Sequence, residues 1–228
     1  QAQQHDGLAK ALAAGTVRFV LDDGQRIEAQ AAPRGSAGLG ALFWLASAFA
    51  LLLYLVTMVV VLAQPDRRNV LYAVMALAQV GNLLFLAVES VPGLGWPPGF
   101  MGWNHGLRSG LDLATAAALV HVTGIHPRPL PGALVRALIA WLLAAALTLV
   151  VVGDWLAGSW WWVQAAIVAA GAVSIAQLRA MQRVLPHPLA ALLWRLCLVG
   201  VGTQLLLTPS IAALNPRFEY HSEAAVAG

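Results

Sequence analysis

The chain has 228 residues, 60% of them hydrophobic and 10% charged, with a mean hydropathy of +0.74. A soluble domain carries about a quarter charged residues, so the composition excludes an ordinary soluble globular domain and points to a membrane protein. The net charge of +3 is small and the basic residues are scattered, which leaves no nucleic-acid footprint.

The first 36 residues differ from the rest. GLAKALAAG predicts a short helix ended by Gly15, and TVRFVLDDGQRIEAQ predicts two strands around Asp23-Gly24, a hairpin signal. So short a segment is below the size of a stable domain. Residues 1–36 are therefore expected to be the C-terminal remnant of an extracytoplasmic domain with its linker, PRGSAG. The chain opens on Gln1 without a signal peptide and ends on the apolar HSEAAVAG, so a piece of a longer protein is expected.

From residue 37 to 228 the expected fold is an all-α polytopic bundle. A hydrocarbon core of about 30 Å takes roughly 20 apolar residues in a helix. Six runs qualify: Leu39–Ala63, Val70–Val88, Leu107–Ile125, Ala133–Val152, Trp160–Leu178 and Leu189–Leu207. A seventh helix is expected to start near Ala224. With the N-terminal segment, the fold class is six complete transmembrane helices, the start of a seventh, and a short α+β tail.

Alternate loops hold Arg67 and Arg68, then Arg128 with Arg136, then Arg179 and Arg183. The opposite loops hold Glu89, Asp154, Glu219 and Glu223, with Arg217. The positive-inside rule puts the first set in the cytoplasm and the N-terminus outside. Trp44, Trp96, Trp103, Trp155 and Trp160 to Trp162 then fall near the outer interface, as an aromatic belt does.

Polar residues inside the runs carry the functional question. In the second run Tyr72, Gln79, Asn82 and Glu89 share one helix face. In the third, Arg108 and Asp112 are four apart, in the weaker order for an intrahelical pair, and Arg108 is expected near a helix N-terminus, where the dipole disfavours a cation. A partner on another helix is therefore expected. At about 1.5 Å per residue, Glu89 and Arg108 lie roughly 12 to 15 Å outward of the midplane, and Asn82 and Asp112 roughly 4 to 6 Å. Gln164 and Gln204 fall at the depth of Asp112.

The expected cluster is Asn82, Asp112, Gln164 and Gln204, with Arg108 and Glu89 above. It reads either as a pocket for a small ligand or ion, or as hydrogen bonding that fixes the bundle. His121 lies half a turn round from Asp112, on the face of Ala114, Ala117 and Ala118, where packing or interfacial anchoring is expected. Arg195 can snorkel or pair within the bundle.

No catalytic set or metal motif stands out. Cys197 is the single cysteine, so no intrachain disulfide is possible. Facing histidines, His105 with His221 outside and His121 or His126 with His187 inside, suggest haem only weakly, because most lie in loops. GLGWPPG, HPRPLPG and LPHP read as proline-stiffened turns. A transporter reading is weakened because no repeat is visible and the prolines are expected at helix ends.

PRGSAGLGALFWLASAFALLLYLVTMVVVLAQPDRRNVLYAVMALAQVGNLLFLAVES and RSGLDLATAAALVHVTGIHPRPLPG resemble the multi-pass sensor region of bacterial membrane histidine kinases. GLAKALAAGTVRFVLDDGQRIEAQ is similar to the end of a PDZ-like extracytoplasmic domain. The resemblance implies a two-component sensor in the bacterial inner membrane that works as a homodimer. A kinase following the last helix would use ATP and Mg, and would pass phosphate to a response regulator. None of that family's catalytic residues has a counterpart here, and no cofactor is expected in this segment itself.

Overall fold

The computed structural model describes residues 15–20, 25–30, 38–91, 100–126, 128–184 and 188–214. In chain order these form β1 (Thr16–Val20), β2 (Arg26–Gln30), α1 (Ala41–Ala63), α2 (Arg67–Glu89), α3 (Phe100–Ile125), α4 (Ala133–Val152), α5 (Ser159–Val184) and α6 (Pro188–Leu214). The strands pair antiparallel, with Thr16 opposite Gln30 and Val20 opposite Arg26. The Asp23-Gly24 turn, the GLAKALAAG helix, GLGWPPG and the seventh helix from Ala224 lie outside the described residues.

The helix limits differ from the apolar runs where polar residues are buried or reach past the bilayer. α3 begins at Phe100 rather than Leu107, because its first turns hold Asn104 and Gly106, both packed inside. Arg108 is thus two turns into its helix, and the unfavourable dipole expected there does not apply, since that effect fades within the first turn. α5 runs on to Val184, past Arg179 and Arg183. α6 contains Pro209, which corrects the expectation that prolines lie only at helix ends. Proline has no N–H to give to the preceding turn.

Five of the six described helices are long and apolar enough to cross a membrane, and α3 is the exception. It carries His105, Arg108, Asp112 and His121, and it is the central helix. α2, α4 and α5 all pack on it, while α1 packs on α2 and α6 on α5. Consecutive helices run antiparallel: Gly106 of α3 meets Val152 at the end of α4, and Gly124 meets Ala133 at its start.

The distribution of residue types is the reverse of a soluble core. Buried positions are mostly small or polar, among them Ala46, Ala118, Ala137, Ser109, Ser174 and Gln177. The large apolar side chains point outward, with Leu62 81% and Leu206 72% exposed. So much exposed aliphatic surface is tolerated only against hydrocarbon. The chain is a multi-pass membrane protein.

Lipid gives helices no hydrophobic reason to associate, so close backbone approach through small residues does the work. GLRSG places Gly106 and Gly110 four apart on α3, facing Val152 and Thr148, themselves four apart on α4. A Cβ on Gly106 would sit 2.8 Å from Val152 Cγ2, and one on Gly110 3.1 Å from Thr148 Cγ2. Both neighbours are β-branched and stiff. Gly171 of α5 makes the same kind of approach to Val201 of α6.

α2 starts at an N-cap, Asp66, whose Oδ1 accepts from the Asn69 N–H at 2.8 Å. That bond, and then the Arg68 guanidinium at 3.0 Å, hold the Asp66 carboxyl below its ordinary value of 3.8. Since the folded pKa is the lower one, the cap's contribution is complete above pH 3.8 and fades as pH falls through the folded value. Protection of the Asn69 amide in hydrogen exchange should therefore hold at neutral pH and fall below about pH 4. Asp66→Ala should lose it at all pH values. A second expectation concerns the α3–α4 seam. Gly106→Leu should destabilise the bundle by about 1–3 kcal/mol in detergent unfolding, whereas Gly200→Ala should be nearly silent because nothing lies within 4 Å of its added Cβ.

Candidate functional site: a polar cleft between four helices

The stripe on α2 meets the polar residues of α3 in successive layers. In the layer nearest the α2 C-terminus, Glu89 accepts from Arg108 Nη1 at 2.6 Å and from Asn104 Nδ2 at 2.5 Å. The ion pair is about one-third exposed, at 37% for Arg108 and 31% for Glu89. One layer deeper, Asn82 Nδ2 donates to Asp112 Oδ1 at 2.6 Å. Deeper still, Gln79 Nε2 donates to Thr115 Oγ1 at 3.2 Å, and that hydroxyl donates to Leu111 O.

Across from these, Gln204 Nε2 of α6 donates to Gln164 Oε1 of α5. Between the two sets lies a partly open cleft of about 230 Å³. Gln79, Asp112, Thr115, Gln164 and Gln204 supply its polar lining, and Leu119 and Ile167 its apolar floor. α3 and α5 form the base, and α2 and α6 the flanks.

The six residues singled out in the sequence therefore divide into two sets. Asp112, Gln164 and Gln204 line one cleft, with Asn82 bonded to Asp112 behind it. Arg108 and Glu89 close a separate layer nearer the helix ends. The cleft offers both acceptors, from the Asp112 carboxylate and amide oxygens, and amide N–H donors. Among the described residues Asp112 is its only ionisable lining residue, and Arg108, one turn away, is already engaged by Glu89. Asn82 Oδ1 is buried and accepts no hydrogen bond from the protein.

Sequence reasoning missed Asn104, which is 6% exposed and shares Glu89 with Arg108. Its signal was spacing: Asn104 and Arg108 are four apart, on one face of α3. Tyr72, grouped with the stripe, packs instead against the apolar cluster of Leu71, Ala118 and Val122 at the other end.

His121 does more than pack. Arg67 Nη2 lies 2.9 Å from its Nε2, and Trp141 Nε1 donates to its Nδ1 at 3.3 Å. Arginine and indole are donors only, and a neutral imidazole accepts at one nitrogen, so His121 accepts from one of them at a time. It thereby ties α3 either to the start of α2 or to α4. Arg68 Nη1 lies 3.3 Å from His126 Nδ1 beside it. A third polar contact, Thr123 with Gln177 at 2.8 Å, fixes α3 to α5.

Among the described residues no group of His, Cys, Asp or Glu is placed to hold a metal ion. His105 lies 3.5 Å from Ser159 Oγ, and His187 and His221 fall outside the described residues. No protein-family model, characterised protein or solved structure matches the chain.

The Asn82–Asp112 bond can be weighed by a double-mutant cycle. Interhelical hydrogen bonds in membranes average about 0.6 kcal/mol with a maximum near 1.7. A coupling in that range between Asn82→Ala and Asp112→Ala, read from unfolding in detergent, is the expected result.

Proposed function

We propose that the bundle is the membrane-borne sensing module of a bacterial two-component histidine kinase, and that the polar cleft at Asp112 is where its stimulus binds. The observation that carries this reading is a partly open cavity inside a membrane bundle, walled by one carboxylate and three glutamine amides. Gln79, Asp112, Gln164 and Gln204 each have a hydrogen-bond partner in the protein, and space remains between the two bonded sets. An ionisable residue inside a membrane bundle is costly, and such a residue is by default a candidate for a ligand or ion site.

The remaining parts of the proposal rest on the arginine distribution and on the resemblance. Arg67, Arg68, Arg128, Arg136, Arg179 and Arg183 favour one end of the bundle as cytoplasmic, which puts the N-terminal hairpin outside. The bacterial inner membrane, a homodimer, a PDZ-like outer domain, an ATP- and Mg-dependent kinase beyond the last helix and a response regulator as its partner follow from the resemblance.

The test is signalling output in the full-length protein, measured as phosphorylation of the response regulator. Asp112→Asn should change the stimulus response while membrane insertion and expression stay normal. Arg108→Ala should change it less, because Arg108 lies outside the cleft. Unchanged output in both variants would reduce the cluster to interhelical bonding. Asp112-dependent uptake of a solute into vesicles, with no phosphorylation, would replace the sensor with a transporter.

A further inference from the structure

A second cavity lies at the arginine-rich end, away from Asp112. It measures about 280 Å³ and is bounded by Arg67 of α2, Ile125 of α3, Leu130 in the α3–α4 loop, and Ala133, Leu134 and Val135 of α4. We infer that this cavity holds the phosphate headgroup of an anionic phospholipid. Charge, shape and position agree on that occupant.

Arg67 brings a full positive charge that no carboxylate meets among the described residues. Its described partner is the uncharged ring of His121, while the nearby acid, Asp66, is taken by Arg68 and by the Asn69 amide. Arg136 stands one turn into α4, its Nη1 3.4 Å from where a Cβ on Gly132 would lie. Its Nε is buried with no acceptor in the protein. An anion entering beside Arg67 meets its uncompensated charge, with Arg136 next to the lining residue Gly132.

The other wall is apolar and faces outward: Leu134 is 66% exposed and Val135 60%. A headgroup at Arg67 would lay its acyl chains along those two side chains, so one molecule satisfies a polar and an apolar wall that a free anion would leave half used. The cavity sits where helices α2, α3 and α4 meet their loops, at the level of a bilayer's headgroups. Basic pockets between transmembrane helices on the cytoplasmic side bind anionic lipid headgroups.

The test uses the protein in nanodiscs of equal phosphatidylglycerol and phosphatidylcholine, released into native mass spectrometry. The wild type should retain phosphatidylglycerol about fivefold over phosphatidylcholine, the preference that one arginine near an anionic surface provides. R67Q should bring the ratio near one, R67K should restore most of it, and R183Q, at the same end but outside the cavity, should leave it unchanged. Circular dichroism melting of each variant shows whether the bundle is intact. Equal losses in R67Q and R183Q would overturn the site in favour of diffuse attraction. Full retention in a folded R67Q would overturn it outright. Displacement of the lipid by millimolar inorganic phosphate would overturn the lipid as occupant and assign the cavity to a soluble phosphate.

Discussion

Polar groups inside a bilayer have only each other to bond to, and α3 carries more of them than any other helix of the bundle. Ser109, Asp112, Thr115, His121 and Thr123 sit along it, and Asn104 and Arg108 near its start. Its position follows. A helix with this load cannot face lipid, so it must be surrounded, and α2, α4 and α5 surround it. The same load keeps it below the hydropathy that the other five helices reach. Low apolarity and centrality have one cause.

Being surrounded requires that neighbours come close, and here the small residues of α3 matter as much as the polar ones. Gly106 and Gly110 admit α4 on one side, and Ala116, Ala117 and Ala118 are nearly or fully buried. Polar bonds then fix the register in which the surfaces meet. Glu89 with Arg108 sets α2 against α3 near one end, and Arg67 with His121 sets them near the other. Two anchors about a dozen residues apart along α3 leave little freedom for α2 to slide.

The sequence made some of this readable and hid the rest for physical reasons. Apolar length located the five helices that are long and apolar enough to cross a membrane, because bilayer thickness fixes that length, and it caught only the later turns of α3. Depth arithmetic put Glu89 level with Arg108 and Asn82 level with Asp112, since antiparallel neighbours share one ruler. It also grouped Gln164 and Gln204 with Asp112, though depth alone does not say which helices face one another. Arg67 with His121 was hidden because Arg67 was counted as a loop residue, and helical hydrogen bonding of α2 starts there. Asn104 was hidden because α3 was started at its first apolar run. The GLRSG seam is hard to read in sequence because a charged residue, Arg108, stands between the two glycines that do the packing.

The two halves of the cleft are held with different firmness, and that bears on how an occupant could be felt elsewhere. Its α2–α3 wall is anchored at both ends. Its α5–α6 wall is tied by Gln164 with Gln204 and by the Gly171–Val201 approach. In the apolar stretch of α6 only 6% of residues are buried, against 28% in α5, and nothing lies within 4 Å of where Gly200 and Gly202 would carry a Cβ. Pro209 further removes one backbone hydrogen bond near the end of that helix. A ligand that drew Gln204 toward Asp112 would therefore move α6 at less cost than α2 or α3, since fewer packed contacts oppose it. The cleft thus has one firmly held wall and one loosely held wall, and the difference in burial between α6 and α5 tells them apart.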